Sequence, residues 1–268
     1  MSEKTPYPPM DAPSYPGTPA PLYPGVAAPS YSGYPVQFNQ QVRVCCISLN
    51  ESDKIRLIGT PPELTLPIRQ AIAGSWGPIQ REGIYSGVPE FKLLGNPWYG
   101  QGVEAVNSRR LITAILRTMA QCGWNLIQAA DVSKKERDKD SLFFETSVVP
   151  DVGQVDMFSM SFNRTDRIRL IDAPEFVTSI VKGAILMQWR QGINMEQKYH
   201  KSHEFKLNGN PFWADGFEAV TSRVMLSQIL AALRAQGYKL YSSVDISSGN
   251  DGHDVESWVF RRIGPAWS

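Results

Sequence analysis

The sequence predicts an α+β protein built from two tandem homologous modules, which follow a disordered tail rich in proline, tyrosine and glycine. The first observation is a gapless internal repeat, because residues 91–133 recur as residues 205–247 with 18 of 43 aligned positions identical. The second is an order of strand-like and helix-like patterns, roughly ββαββαββ, that both copies share. Short reversals between neighbouring strands favour an antiparallel sheet with its helices on one face.

The repeat divides the 268-residue chain into four parts. These are a tail over residues 1–40, module 1 over 41–150, module 2 over 151–262 and a C-terminal tail over 263–268. Each module is long enough to bury a hydrophobic core. With 42% apolar residues and a net charge of +1, the composition is that of a globular protein. Because this charge gives no general attraction to polyanions, we expect no nucleic-acid partner.

Alternating apolar residues and turn signals predict six strands in each module. In module 1 they are residues 42–49, 54–59, 79–85, 90–94, 124–130 and 141–145. The third and fourth strands form a predicted hairpin around residues 86–89. A first helix is predicted over residues 62–75, since apolar side chains recur at four-residue steps from Leu64 to Trp76. Pro67 interrupts this pattern, so either the first turn is irregular or the helix begins later.

A second, longer helix is predicted over residues 103–121 in module 1 and residues 217–236 in module 2. Gly123 and Gly237 follow these segments. Glycine directly after the last apolar turn stops a helix, because it readily adopts the left-handed backbone of a C-terminal cap. The predicted buried stripe of the module 1 helix consists of Ala105, Ser108, Ile112, Ile115, Leu116 and Met119.

An aromatic pair follows the same Gly-Asn-Pro corner in both modules. The pairs are Trp98-Tyr99 in module 1 and Phe212-Trp213 in module 2. Glycine and asparagine tolerate left-handed backbone and proline fixes the next turn, so the corner is rigid. Two interpretations are open. The aromatics form a binding platform for a peptide, lipid or sugar, or they cap the core where helix meets sheet.

Arg109 and Arg223 occupy equivalent positions at the edge of the apolar stripe of the long helix. A half-buried arginine usually requires a carboxylate partner. Asp131 and Asp245 follow the next strand in each module. We therefore expect the ion pairs Arg109–Asp131 and Arg223–Asp245 as internal struts. In the alternative interpretation, both arginines face a cleft and bind an anion through two hydrogen bonds.

The second strand of each module carries basic side chains at alternate positions. These are Lys54 and Arg56 in module 1, and Arg167 and Arg169 in module 2. Alternation places them on one face of the sheet. Such a strip could meet acidic partners or anionic lipid headgroups, or it could be an ordinary solvated face.

The sequence indicates no catalytic residue, no cofactor and no metal site. Cys45, Cys46 and Cys122 follow no zinc or disulfide spacing, and module 2 lacks cysteine, which favours reduced thiols in the cytoplasm or the nucleus. The vicinal pair Cys45-Cys46 fits strand packing or lipidation. The polar loops at residues 134–140 and 248–254 lack the ligand spacing of an EF-hand. All three histidines lie in module 2, which argues against an enzyme duplicated together with its site.

The N-terminal tail contains an eight-residue repeat. Tyr7, Tyr15, Tyr23 and Tyr31 are evenly spaced, and half of the 20 prolines of the chain lie in this segment. Such a composition cannot form a packed core, so we expect disorder with regularly spaced tyrosines available for contacts. The Tyr-Pro-Gly motifs resemble the tails of certain annexins and phospholipid scramblases. For the tail alone, this resemblance implies calcium-dependent adaptor or coacervate-type contacts.

These observations predict a non-enzymatic cytoplasmic adaptor, in which the modules form a platform and the tail binds protein partners. The alternative is a protein that binds an anionic small molecule or lipid in a cleft at a pseudo-twofold boundary between the modules, lined by Trp98, Trp213, Arg109 and Arg223. Peripheral membrane contact is compatible with either. A third hypothesis is a hydrolase or transferase using carboxylates such as Asp131 and Glu104. No apolar run reaches the ~18 residues of a membrane span.

Overall fold

The structure is a computed structural model that describes residues 42–133, 139–147, 155–246 and 257–268. The predicted disorder of the tail and the contacts expected of its tyrosines, Tyr7, Tyr15, Tyr23 and Tyr31, lie outside the described residues. Most of the two polar loops considered as calcium sites also lies outside them.

Module 1 has the predicted ββαββαββ order. Its strands are β1 (Val44–Asn50), β2 (Lys54–Ile58), β3 (Ile79–Tyr85), β4 (Val88–Leu93), β5 (Trp124–Ala130) and β6 (Ser141–Thr146). Its helices are α1 (Thr65–Ser75) and α2 (Val103–Gln121). All neighbouring strands are antiparallel, and they follow one another across the sheet as β3-β4-β2-β1-β6-β5.

Module 2 repeats this topology strand for strand. Its strands are β7 (Met157–Asn163), β8 (Arg167–Ile171), β9 (Ile193–Tyr199), β10 (Ser202–Leu207), β11 (Tyr238–Val244) and β12 (Ser257–Arg262). Its helices are α3 (Glu175–Gln188) and α4 (Gly216–Ala235). The sheet order is β9-β10-β8-β7-β12-β11, which is the order of module 1 with each strand replaced by its counterpart. The predicted α+β fold of two tandem homologous modules is confirmed.

Local sequence accounts for the two irregular points in module 1. A 3-10 turn (Pro62–Leu64) precedes α1, and Pro67 then lies in the first helical turn, where a missing N–H costs no hydrogen bond. The β3–β4 hairpin is shorter than predicted, because only Ser86 and Gly87 form its turn. Both have positive φ, 48° and 87°, as the turn types that match strand twist require.

The long helices α2 and α4 are buried to different extents. In α2 the predicted stripe is buried except for Ala105, which is half-buried, and Val106, Arg109, Leu111 and Thr113 are buried as well. In α4 only Ser222, Met225, Ile229 and Leu233 are buried. A helix buried over most of its circumference must be covered on two sides. Helix α2 therefore packs against something besides its own sheet.

That second neighbour is the outer face of the module 2 sheet, meaning the face turned away from α3 and α4. Alternate residues of β7 separate the two faces, since Phe158 belongs to the core of module 2 while Met157 joins the core of module 1. Arg117 on α2 donates a hydrogen bond to the carbonyl of Met157 at 2.7 Å. Arg110 contacts the carboxylate of Asp172 at 2.8 Å. The order of layers is sheet, helices, sheet, helices.

The modules are thus related head to tail, and the predicted pseudo-twofold boundary between them is wrong. In a twofold pair, α4 would cover the module 1 sheet as α2 covers the module 2 sheet. Instead Val106 on α2 is 0% exposed, whereas its counterpart Val220 on α4 is 61% exposed. The edge strands also meet, because the hydroxyl of Tyr241 accepts a hydrogen bond from the amide of Leu126 at 2.7 Å.

This arrangement predicts unequal effects of one substitution at two equivalent positions. Val106→Asp places an unpaired carboxylate in the junction and should lower the free energy of unfolding by about 3 kcal/mol or more. Val220→Asp, the matched control on α4, should change it by less than about 0.5 kcal/mol. Urea unfolding followed by tryptophan fluorescence measures both. Equal effects of the two variants would contradict the head-to-tail packing.

Candidate functional site

The aromatic corners mainly complete the two cores. Trp98 is fully buried in module 1, and Tyr99 packs against the same core. Phe212 packs against the core of module 2, while Trp213 is 64% exposed. The amide of Trp98 donates to the carbonyl of Ser52, which fastens the corner to the β1–β2 turn. Of the four aromatics, only Trp213 presents a large surface to solvent.

The expected ion pairs of Arg109 and Arg223 are wrong. Arg109 is buried in the junction, where its Nε donates to Ser257 Oγ at 3.0 Å and its Nη1 to the carbonyl of Ala105 at 3.0 Å. The carboxylate of Asp131 instead accepts a hydrogen bond from the amide of Ser133. The reason is orientation, because Arg109 lies on the face of α2 turned toward the neighbouring module and away from its own sheet.

The module 2 counterpart of Arg109 has different surroundings. Arg223 is exposed on α4, and its Nη1 donates to Ser222 Oγ at 2.9 Å. Asp245 Oδ2 lies 3.7 Å from Lys139 Nζ of module 1. Because Trp98 and Arg109 are buried while Trp213 and Arg223 are exposed, these four residues do not line a common cavity.

The basic strip predicted on the second strands is neutralised by neighbouring carboxylates. In module 1, Arg56 Nε donates to Glu90 Oε2 at 2.8 Å, and its guanidinium lies 3.8 Å from the ring centroid of Tyr85. In module 2, Arg169 pairs with Glu204 and stacks over Tyr199 at 4.1 Å. The same glutamate–arginine–tyrosine cluster therefore occupies the outer face of both sheets.

In module 1 this cluster borders an open recess of about 410 Å³. The recess is floored by β1, β2 and β6, and walled by the β3–β4 hairpin and by the chain after β5. Its lining is mixed polar and apolar: Ser48, Asn50, Arg56, Ile58, Tyr85, Ser86, Val88, Val132, Ser133, Lys139 and Ser141. Lys139 lies near Asp245 and Arg56 pairs with Glu90, so the cations at the recess already have anionic neighbours.

The equivalent region of module 2 is covered by α2. Ser257, the counterpart of the recess residue Ser141, accepts the hydrogen bond from Arg109. A Cβ placed on Gly102, just before α2, would lie 3.6 Å from the hydroxyl of Tyr199, the counterpart of Tyr85. The outer face of a module sheet is therefore a surface that accepts a helix, and in module 1 the same surface carries an open recess.

The sequence predicts a basic strip that includes Arg56, but it does not predict the recess that Arg56 borders. Ser141, Tyr85 and Glu90 were not among its candidates, although each has an identical counterpart in module 2: Ser257, Tyr199 and Glu204. Identity between the copies at polar positions on strands is the signal that could have indicated a shared face. The aromatic corners and the two arginines, which the repeat also marks, lie beside the long helix instead.

The three cysteines are free thiols, of which Cys45 is buried, Cys46 half-buried and Cys122 exposed. Cys45 is buried in the core of module 1, and burial together with the neighbouring Cys46 raises its pKa to about 12. Burial also raises the pKa of Cys46 and of Cys122. Because the thiolate is the reactive form, these thiols are poor nucleophiles. Among the described residues, no three histidine, cysteine, aspartate or glutamate side chains are grouped as metal ligands would be.

Comparison with known proteins identifies the repeated unit. The model of one domain family matches the chain twice, over residues 43–145 and 156–261. No curated protein and no solved structure shows significant similarity to the chain. Within the described residues, no helix has both the length and the apolarity that crossing a bilayer requires.

The buried cluster of module 2 predicts a pH-dependent stability. Burial opposes ionisation of Glu204, but hydrogen bonds from Arg169 and Gln197 and the charges of Arg169 and Arg167 outweigh it and lower its pKa below 4.5. The carboxylate therefore stabilises the fold above that pH, and the contribution is lost as the pH falls through the lowered value. Glu204→Gln should cost about 3 kcal/mol near neutral pH, because it leaves two arginines without their carboxylate.

The difference between Glu204→Gln and wild type should shrink in acid, as the wild-type carboxylate becomes protonated. Urea unfolding at neutral and acidic pH measures it. Glu82→Gln removes an exposed pair with Arg69 and serves as the control, with an expected effect below about 1 kcal/mol. A Glu204→Gln deficit that does not change with pH would contradict the assignment.

Proposed function

The chain belongs to the domain family whose model matches it twice, and we propose that the two copies of the domain have different roles. Together they would form a non-enzymatic binding or adaptor protein of the cytoplasm. Module 2 would give the platform its rigidity, because its outer sheet face is occupied from within the chain. Module 1 would bind a partner on the equivalent face, at the recess around Arg56 and Ser141.

One observation carries this proposal. The outer faces of the two sheets share the cluster of glutamate, arginine and tyrosine, yet α2 covers this face in module 2 and the recess opens on it in module 1. The contact of α2 with module 2 shows what such a face accommodates. It accepts helix α2, on which Arg109 donates to the hydroxyl of Ser257. Val106 and Thr113 lie one turn before and one turn after that arginine on the same helix.

The chemistry of the recess favours a polypeptide over an anionic small molecule. A volume of about 410 Å³ is within the range of ligand sites. However, Arg56 lies against Glu90 and Lys139 lies near Asp245, so an incoming anion would compete with carboxylates already present. Apolar side chains at the rim, among them Ile58 and Val132, are exposed and suit an apolar helix face.

The tail would add a second mode of binding. Its four evenly spaced tyrosines and its prolines suit weak repeated contacts, and a tethered platform raises their effective concentration near the same partner. Proline-rich segments are commonly recognised by aromatic-lined grooves of other proteins. The cytoplasmic assignment is supported by the three free cysteines.

The test is quantitative affinity capture with four baits: wild type, Val132→Asp, Leu66→Asp and a chain lacking residues 1–40. Val132 is 67% exposed at the recess, so its aspartate should remove partners that dock there by introducing a charge opposite their apolar side chains. The truncated chain should keep the melting temperature of the full chain but retain less of each partner.

Leu66 is the matched control, because it is exposed in the first turn of α1, away from the recess, and an aspartate is well tolerated there. Leu66→Asp should capture the same proteins as wild type. If Val132→Asp and the truncated chain both retain the wild-type set of partners, the proposed function is wrong.

A further inference from the structure

We propose that a helix bound at the module 1 recess is α4 of a second copy of this chain, so that copies assemble head to tail by repeating the module 1–module 2 contact. The inference rests on the proposed function, because it names the occupant of the face assigned there. It depends on three contacts between α2 and module 2 that α4 and module 1 can reproduce, namely apolar packing, an arginine–serine hydrogen bond and a glycine–tyrosine approach, and on the joint replacement of one ion pair.

The apolar residues of the helix correspond first. Val106, which is fully buried on α2, has Val220 as its counterpart on α4, and Val220 is exposed. Phe217 and Val224 are exposed on the same side of α4, one turn before and one turn after Val220. An apolar face of this kind on a surface helix is typical of a binding interface.

The apolar residues of the sheet correspond in the same way. Met157, Ile171 and Ile246 of module 2 are buried. Their module 1 counterparts are Val44, Ile58 and Val132, which are apolar as well but exposed at 55%, 42% and 67%. Each half of the junction thus recurs on the outside of the molecule with its hydrophobic character kept.

The central polar contact is retained by identical residues. Arg109 on α2 donates to Ser257 of module 2, and the counterparts are Arg223 on α4 and Ser141 in the recess. Arg223 is exposed, and Ser141 lines the recess. An arginine on an incoming α4 therefore finds the acceptor that its counterpart has within the chain.

The close approach at the start of the helix is retained too. Gly102 lies near the hydroxyl of Tyr199, and the counterparts are Gly216 and Tyr85. Both glycines have positive φ, 60° and 53°, a backbone that a side chain would strain. Tyr85 of another copy can therefore lie beside Gly216 as Tyr199 lies beside Gly102.

The ion pair between α2 and module 2 has lost both of its charged residues at the equivalent external positions. Arg110 of α2 pairs with Asp172 of module 2 at 2.8 Å. Their counterparts are Val224 on α4 and Gly59 on module 1, so neither charge is present at the external faces. If only the arginine or only the aspartate were replaced, the contact between copies would contain a charge without its partner. Because both are replaced, that contact is uncharged at this position.

The contact is heterologous, since it joins two different surfaces. Each copy uses α4 toward one neighbour and the module 1 sheet toward another, so the assembly is a ring if the rotation closes and a helical filament if it does not. A twofold dimer that pairs like surfaces is not expected.

The decisive experiment uses two full-length variants, each with one surface disabled. Val220→Asp disables the α4 face, and Val132→Asp disables the recess. Sedimentation velocity over a concentration series should show that wild type forms dimers and larger species. Each variant alone should have a dissociation constant raised by at least about tenfold. An equimolar mixture of the two should form dimers and nothing larger, because only one productive contact is left between them.

Leu66→Asp, which alters neither surface, should assemble as wild type does, and unchanged melting temperatures should show that the variants are folded. A wild-type chain that stays monomeric up to its solubility limit overturns the inference, as does a mixture that stays monomeric while wild type assembles. Loss of captured partners in Val132→Asp together with a monomeric wild type would leave the proposed function standing and remove α4 as the occupant.

Discussion

The structure depends on the burial of α2 between two sheets. Its side facing module 1 completes a core with β1 and β6. On its opposite side, Arg109 contacts Ser257 of β12, Arg117 contacts Met157 of β7, and Arg110 pairs with Asp172 just after β8. A helix in this position removes apolar surface from water on both sides, which is the dominant favourable term in folding. The relative position of the two modules follows from this one helix.

Hydrogen bonds and opposite charges compensate for the burial of a carboxylate on the covered sheet face of module 2. A carboxylate as buried as Glu204, with a fully buried side chain, requires both charge and hydrogen bonds in compensation. Arg169, Arg167 and Gln197 provide them, and Tyr199 stacks on the guanidinium of Arg169. The cluster in module 1 has the same parts in a more open setting, where Arg56 and Glu90 form the pair beside the recess. Duplication has thus kept the chemistry of the face while only one copy of it is covered.

A head-to-tail duplication differs from a twofold one in what it leaves outside. A twofold pair buries the same surface on both modules, and no equivalent of the junction remains exposed. A head-to-tail pair leaves one face of each kind unmatched at its two ends, as in repeat proteins whose end units lack a neighbour. Here those two faces are the recess side of module 1 and the α4 side of module 2. Both the proposed binding function and the proposed self-assembly use these ends.

The sequence by itself determined the modules and nearly all of their helices and strands. Strand alternation, four-residue apolar steps and the stop at Gly123 are local signals, so α2 and β5 begin and end where they were predicted. Only the tertiary structure decided the partner of Arg109, the unequal burial of Val106 and Val220, and the recess. These features depend on contacts between residues more than a hundred positions apart in the chain. Both copies share the same local pattern of strands and helices, so that pattern does not determine which surfaces meet. The exchange of Arg110 for Val224 is the sequence difference that reflects it, and its meaning becomes readable only when Asp172 is seen beside Arg110.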